Sequence, residues 1–275
     1  MAWRLSVTHS TSFQYDSEVS ASFNEARMTP VNTADQFVIS HTLKINPFST
    51  VYSYSDYFGT SVKAFDVQTP HTYLEIVSQS LVETNTPELG NINASWDELK
   101  DKTLTDDLRE YLTLSELVNP IYPPFDLRSM KTPLDAIQFL NAAMREQIGY
   151  TPGSTSVYSP GSEAWEKGAG VCQDFTHASL AILRMAGIPA RYVSGYLYNG
   201  SGEIGEEVIG ESHSWVEAWV GHWLPFDPTN GNPVAEDHVL VARGRDYHDV
   251  SPLRGIFSGG KSRKTEVSVS LTRIA

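Results

Sequence analysis

Alternating hydrophobic and polar positions dominate the first third of the chain. The alternation has a period of two residues over 38–45 and again over 73–82, and β-branched and aromatic residues are frequent in both runs. The N-terminal residues 1–10 also favour a strand. Turn-forming residues separate such runs at Pro30, Asn46-Pro47, Gly59 and Thr69-Pro70. The pattern predicts an N-terminal antiparallel, β-sandwich-like domain over residues 1–85.

Helical spacing of apolar residues replaces the alternation further along the chain. Residues 86–130 are predicted to form a linker and a helical segment, whose acidic helical stretch covers 96–117. A clearer helix begins after Thr132, a good N-cap, with Pro133 at the first helical position. Apolar residues then recur at helical spacing as far as Gly149, which predicts an amphipathic helix.

The remaining chain alternates between a loop, a helix and strands. Residues 151–170 are rich in Gly, Ser and Pro and predict a loop. A second helix is predicted over 172–186, because Gly187 and Pro189 end it. Strands are predicted over 190–198, 212–220 and 223–226. A helix followed by antiparallel strands predicts the α+β class, with a second domain over 131–275 that ends in a C-terminal tail.

Composition restricts the partners and the location. The chain of 275 residues has 20 Lys and Arg against 33 Asp and Glu, a formal net charge of −13. This balance argues against nucleic-acid and anionic-membrane partners, which usually bind through Lys and Arg. No run approaches the ~18 apolar residues of a membrane helix. The N-terminus lacks an apolar signal region, so a cytoplasmic location is expected.

The single cysteine is the first candidate for chemistry. It excludes an internal disulfide and a Cys-rich zinc cluster. Cys172 is predicted to begin a helix, directly after the glycine-rich residues 168–170. A helix N-terminus favours a thiolate over a thiol, and the glycines would let a substrate approach the backbone. Asp174 and His177 do not share a helix face with Cys172, so no metal site and no cofactor are predicted.

A nucleophilic cysteine needs a base and an acceptor that orients the base. His213 and Asp227 are 14 residues apart, and a hairpin that turns at residues 219–221 would place them directly opposite each other. A slip of one residue would put one of them on the wrong face. The spacing therefore predicts a carboxylate that accepts a hydrogen bond from an imidazole nitrogen.

These residues lie in motifs that resemble the core of bacterial transglutaminase-like proteins. The motifs are Gly170-Val171-Cys172-Gln173-Asp174-Phe175, the run from Ala186 to Tyr196, Ser212-His213-Ser214-Trp215-Val216-Glu217 and Phe226-Asp227-Pro228-Thr229-Asn230. Residues 244–247 and 252–255 resemble the C-terminal signature of the family, and residues 23–27 and 56–59 with His71 resemble its N-terminal β-rich region. Ser214 departs from the alanine expected after the histidine, but it leaves the catalytic atoms untouched.

The resemblance implies a papain-like or transglutaminase-like core and a cysteine-nucleophile acyl-transfer enzyme. In that family role, Cys172 would attack a carboxamide or peptide carbonyl and form a thioester. His213 would pair with the thiolate and protonate the leaving amine, and Asp227 would hold the imidazole tautomer. Gln173 and Trp215 are the candidate oxyanion or substrate contacts. A protein or peptide is the expected substrate.

The fold and the triad do not determine whether water or an amine accepts the acyl group. Hydrolysis of an amide, peptide or isopeptide bond is favoured, because water is always present. Amine transfer to a protein glutamine, with cross-linking, is the first alternative. A non-catalytic binding module is the second. The acidic loop over 201–211 precedes His213 and predicts a preference for neutral or basic substrates.

Overall fold

The computed structural model describes residues 2–210 and 212–275. Two ends of predicted segments fall outside it: Met1, at the start of the first predicted strand, and Glu211, at the end of the acidic loop. The strands are β1 Trp3–Ala26, β2 Gln36–Asn46, β3 Val51–Ser55, β4 Ser61–Val67, β5 His71–Thr84, β6 Gly149–Tyr150, β7 Ala169–Gly170, β8 Ala190–Leu197, β9 Glu207–Gly210, β10 His213–Trp219, β11 Trp223–Phe226, β12 His238–Gly244, β13 Leu253–Gly259 and β14 Ser262–Arg273. The helices are α1 Lys102–Asp107, α2 Pro133–Gln147, α3 Gly161–Lys167, α4 Cys172–Met185 and α5 Tyr247–Val250.

An antiparallel sheet built around the long strand β1 forms the N-terminal part of the fold. Its main path runs β2-β5-β1-β14-β9. The first half of β1 pairs with β5 and β14, and the second half pairs with β4 and β13. The α+β class with an N-terminal antiparallel β region is confirmed.

The C-terminal strands lie in this sheet, although their sequence follows the predicted core. Residues 253–273, predicted as the tail of the domain over 131–275, form β13 and β14 on β1. Part of the acidic loop, residues 207–210, extends the sheet as β9 on β14. A long strand offers backbone donors and acceptors along both edges, and distant segments satisfy them here.

A second antiparallel sheet, in the order β11-β10-β8-β12, forms the core with α4 packed against β10 and β8. The apolar residues of the two sheets merge in one buried cluster: Leu5, Val7 and Leu271 come from the first sheet, and Tyr196 and Val239 from the second. The N-terminal sheet is therefore packed against the core. No helix in the described ranges combines the length and the apolarity needed to cross a bilayer.

Helix α2 follows its predicted signals closely. The Asp135 N–H donates to Thr132 Oγ1 at 3.1 Å, and the Thr132 N–H donates back to the Asp135 carboxylate at 3.1 Å, which closes a capping box. Two other predictions differ from the structure. The stretch 96–117 contains only the six-residue α1 and short 3-10 turns, and the predicted loop 151–170 contains α3.

Candidate active site

Cys172 is the first residue of α4, as predicted. The turn before it is held by Asp174, whose Oδ2 accepts hydrogen bonds from the Val171 N–H at 2.7 Å and from Thr155 Oγ1 at 2.6 Å. The helix start therefore has a fixed geometry. The Asp174 N–H donates to the Val171 carbonyl oxygen at 2.8 Å, and the N–H groups of Cys172 and Gln173 precede this first hydrogen bond of the helix. The half-buried Cys172 thiol donates to the Ser212 carbonyl oxygen at 4.0 Å.

The hairpin that carries the histidine turns one residue later than predicted. Trp219 pairs with Trp223, so the loop is centred on Gly221, which adopts a positive φ of 96°. Residues with a Cβ rarely adopt such a φ, which explains why the turn is centred on this glycine. In this register His213 and Asp227 are diagonal rather than directly opposed neighbours. They remain on the same face, because the register differs from the predicted one by two residues.

The diagonal arrangement still joins the imidazole to the carboxylate. His213 Nε2 lies 2.8 Å from Asp227 Oδ2. Nδ1 is therefore the ring nitrogen available to Cys172, which lines the same cavity and interacts with His213. Asp227 is fully buried, and both of its oxygens accept further hydrogen bonds. Oδ1 accepts from the N–H groups of Thr229 at 2.9 Å and Asn230 at 3.3 Å, and Oδ2 accepts from Asn230 Nδ2 at 2.7 Å. The carboxylate is thus fixed by its own turn.

The surroundings of His213 and Asp227 shift the pKa values of both side chains in the directions that keep both of them charged. Burial by itself lowers the pKa of His213, but hydrogen bonds and charge attraction from Asp227 and Cys172 outweigh burial and raise that pKa to about 10. Burial by itself raises the pKa of Asp227, but hydrogen bonds from His213 and Asn230, together with the nearby His238, hold it well below the usual range. His213 is therefore an imidazolium at neutral pH, and Asp227 is a carboxylate.

His238 is a member of this cluster that the sequence did not indicate. Its Nε2 lies 3.7 Å from Asp227 Oδ2, and its Nδ1 lies 2.6 Å from Asp237 Oδ1. These two carboxylates oppose the effect of burial and raise the pKa of His238. The ligand atoms of His213, Asp227 and His238 lie within 4.8 Å of one another, a set that could also hold a metal ion. The hydrogen bond between His213 and Asp227 accounts for their closeness without one.

Trp215 and Gln173 occupy different places around the histidine. Trp215 is buried, and its ring lies beside the His213 ring with the centroids 6.2 Å apart. A Cβ at Gly195 would overlap this indole, so the strand beside His213 needs a glycine there. Trp215 is not among the described residues that line the cavity at Cys172, whereas Gln173 is. Gln173 Nε2 donates to the Val157 carbonyl at 3.1 Å, which ties Gln173 to the loop before α3.

A cavity of about 740 Å³ opens over the candidate nucleophile. Cys172 and His213 line it together, beside the loop that contains Val157. The N-terminal sheet completes the wall with Val208 of β9 and Leu271 of β14. The acidic loop thus reaches the cavity through an apolar residue, while Glu206 accepts hydrogen bonds from Tyr198 and Ser201. The arrangement can bring a carbonyl compound to a cysteine that faces an imidazolium.

Such a fold and such a cluster define the class of papain-like and transglutaminase-like proteins, and the comparisons agree. Residues 5–83 match the bacterial transglutaminase-like N-terminal region, and residues 126–228 match the transglutaminase-like superfamily. The Mycobacterium leprae protein ML0607 is 42% identical over 99% of this chain and 100% of its own length. The chain belongs to the transglutaminase-like superfamily, with the N-terminal region that accompanies the core in bacteria.

Two further proteins show more distant similarity to this chain. A candidate cysteine protease of Cytophaga hutchinsonii has the same fold, with a TM-score of 0.75, 18% sequence identity and coverage of 99% of this chain and 98% of its own. A Pseudomonas aeruginosa protein named protein-glutamine gamma-glutamyltransferase is 31% identical over 104 residues, which is 34% of this chain and 16% of that protein. The first likeness concerns the fold alone.

Proposed function

We propose that this protein is a cysteine-nucleophile acyl-transfer enzyme that hydrolyses an amide, peptide or isopeptide bond. One observation carries the proposal: His213 lies between the Cys172 thiol and the buried Asp227 carboxylate, and Cys172 begins a helix. An imidazolium next to a cysteine stabilises the thiolate, which is the nucleophilic form. The positive end of α4 acts in the same direction.

In the first half of the reaction, the Cys172 thiolate attacks the substrate carbonyl carbon, and the carbonyl oxygen takes up the negative charge. The N–H of Cys172, in the first turn of α4, is the donor available to that oxygen. His213 then donates its proton to the leaving nitrogen. The carbon–nitrogen bond breaks, an amine leaves, and a thioester with neutral His213 remains.

In the second half, water attacks the thioester and neutral His213 accepts its proton. The carbon–sulfur bond breaks, the acid leaves, and the thiolate–imidazolium pair returns. The role of Asp227 is to hold Nε2 of His213, so that Nδ1 faces the sulfur in both halves. A cavity of about 740 Å³ is large enough for a segment of polypeptide, which we propose as the substrate class.

Intact-mass spectrometry tests this proposal directly. The protein is mixed with a library of peptides and rapidly quenched, and a mass increase on the wild type but not on Cys172→Ala reports the acyl-enzyme. The pH profile of alkylation by iodoacetamide is the companion measurement. An acyl adduct that persists in Cys172→Ala, or alkylation that rises only near about pH 8.5 as for an unperturbed thiol, contradicts the proposal.

Amine transfer is the second candidate, and the local similarity to a protein-glutamine gamma-glutamyltransferase favours it. The two reactions share the thioester and differ in the acceptor. Release of acid and incorporation of a labelled primary amine, measured on one glutamine peptide, separate them. Incorporation that exceeds hydrolysis at millimolar amine assigns the protein to amine transfer.

The cytoplasmic location stays a prediction, which immunoblotting of fractionated cells would test.

A further inference from the structure

A second cavity, of about 480 Å³, lies between the N-terminal sheet and α5. Its floor is one face of β1, because the alternate residues His9, Thr11, Phe13 and Tyr15 all line it. Strand β14 continues this floor with Val267, the partner of Thr11 across the ladder. The family resemblance gives this cavity no role, and none of the steps proposed above uses it.

Five Phe and Tyr side chains contribute to the lining of this cavity, which we call the aromatic cavity, and polar residues and Arg254 complete the lining. The Tyr15 ring lies 5.1 Å from Phe257 of β13 and 6.4 Å from Phe13, measured between centroids. Tyr247 of α5 lines the opposite wall, and Tyr158, whose surface is 77% exposed, lies at the mouth. Aromatic walls of this kind gain most by covering another aromatic or large aliphatic group.

The polar side chains that β1 contributes to the floor beside the aromatic rings, His9 and Thr11, are neutral and hydrogen-bonded to each other, and Arg254 donates to the His248 carbonyl oxygen at 3.4 Å. Burial lowers the pKa of His9 to about 4, so this imidazole is uncharged at neutral pH. Its Nδ1 lies 2.9 Å from Tyr196 Oη, and its Nε2 lies 3.3 Å from Thr11 Oγ1. The floor therefore presents no unpaired charge from His9, and an apolar group can cover it without losing a hydrogen bond.

This aromatic cavity adjoins the cavity over Cys172. Val157 and Ser212 line both. The Ser212 carbonyl oxygen is the acceptor 4.0 Å from the Cys172 sulfur, and the Val157 carbonyl accepts from Gln173 beside that sulfur. A polypeptide that places a carbonyl at Cys172 can therefore place a neighbouring side chain in the aromatic cavity.

We propose that the aromatic cavity between β1, β13 and α5 is a specificity site that binds an aromatic or large aliphatic side chain of the polypeptide substrate, close to the reacting carbonyl. The inference rests on the proposed function, because it names the substrate class of that site. It also gives the N-terminal sheet a direct role in selecting substrate.

Protection of Cys172 from alkylation tests the proposal without requiring turnover. Because the chain has one cysteine, each carbamidomethyl group added by iodoacetamide reports Cys172. The competitors are seven-residue peptides with a central glutamine, in which one phenylalanine is moved through the flanking positions of an alanine background. The peptide concentration that halves the alkylation rate is then compared with that of the all-alanine peptide.

Two pairs of variants separate the cavity from general effects. Phe257→Ala removes a wall, and Ile256→Ala, next to it on β13 and 73% exposed, is its control. Tyr158→Ala removes the ring at the mouth from an exposed loop position, where a fold defect is not expected. Tyr122→Ala, at an 82% exposed position that is not among the described lining residues, is the control for Tyr158→Ala.

In the wild type and both controls, we expect at least one phenylalanine peptide to protect at an about tenfold lower concentration than the all-alanine peptide. Phe257→Ala and Tyr158→Ala should reduce this preference at least about threefold, while alkylation without peptide stays unchanged. No phenylalanine preference in the wild type, or an undiminished preference in both cavity variants, overturns the inference. The proposed function fails separately, if the peptide-free alkylation profile is that of an ordinary thiol.

Discussion

Replacement of Asp227 by asparagine should move the basic limb of the activity profile to much lower pH. The pKa of His213 is raised to about 10, against an ordinary value of 6.5, and the hydrogen bond to Asp227 heads the causes that raise it. Without that carboxylate, burial still lowers the pKa of His213 and only Cys172 still raises it, so the pKa falls from about 10 toward its ordinary value. A pKa raised in this way keeps the proton donor intact up to about pH 10 in the wild type, and the donor is lost as the pH rises further.

The size of the effect follows from the titration and from the hydrogen bonds. With a His213 pKa of 6.5, only about 3% of the variant would carry the imidazolium at pH 8, which is a loss of about thirtyfold. A second loss does not depend on pH. Each Asp227 oxygen is surrounded by N–H donors, and an amide has one oxygen, so the NH₂ of the substituted side chain must face a donor. A charge-assisted hydrogen bond contributes about 1.5–3 kcal/mol, so its loss should lower kcat/KM by a further factor of about ten to a hundred.

The assay is kcat/KM against pH on the best peptide from the mass-spectrometric screen, with circular dichroism to confirm the fold. Asp237→Asn is the matched control, because it removes a nearby carboxylate that contacts His238 but not His213. The control should keep its basic limb near about pH 10. A basic limb that stays in place in Asp227→Asn would refute the assignment of Asp227 as the group that sets the charge of His213.

Three further predictions concern neighbouring groups. Cys172→Ala should abolish turnover and change the free energy of unfolding by less than about 1 kcal/mol, because the half-buried thiol fills little volume; residual turnover would exclude the thioester route. His238→Ala should lower kcat about tenfold with KM and the basic limb unchanged. His238→Gln should restore most of it, because the glutamine Nε2 can take the place of the imidazole Nε2 that faces Asp227; equal losses would indicate packing alone. The pKa of His9 is lowered to about 4, so the stability that neutral His9 contributes is lost as the pH falls from 6.5 toward 4. In urea titrations at about pH 7.5 and pH 5, the free energy of unfolding of His9→Gln should therefore decrease by about 2 kcal/mol less than that of the wild type.

The local features of the candidate site were predictable because they depend on neighbours in sequence. A glycine-rich segment before Cys172 and a glycine with a proline after Ala186 determine where α4 begins and ends. The hairpin was predicted with its register wrong by two residues, yet the parity that keeps His213 and Asp227 on one face was right. An alternating pattern along a strand determines which side chains share a face of the sheet more strongly than it determines the residue at which a hairpin turns.

The missed features depend on pairings between distant segments. His238 reaches Asp227 only because β12 pairs with β8, in a register with a bulge near Leu240. Strands β13 and β14 join β1 across more than 200 residues, and no local pattern in 253–273 names that partner. In such pairings the choice of neighbour comes from shared burial and from free strand edges, which a single sequence does not specify.

The long-range pairings also explain why the N-terminal sheet accompanies this core. Leu271 packs in the same buried cluster as Tyr196, and it also lines the cavity over Cys172. Val208 of β9 also packs against this cluster and lines the cavity, and β9 pairs with β14. Since β14 in turn pairs with the first half of β1, one wall of the candidate site depends on residues 3–15. A core cut away at residue 131 would keep Cys172, His213 and Asp227, but it would lose the strand that supports that wall.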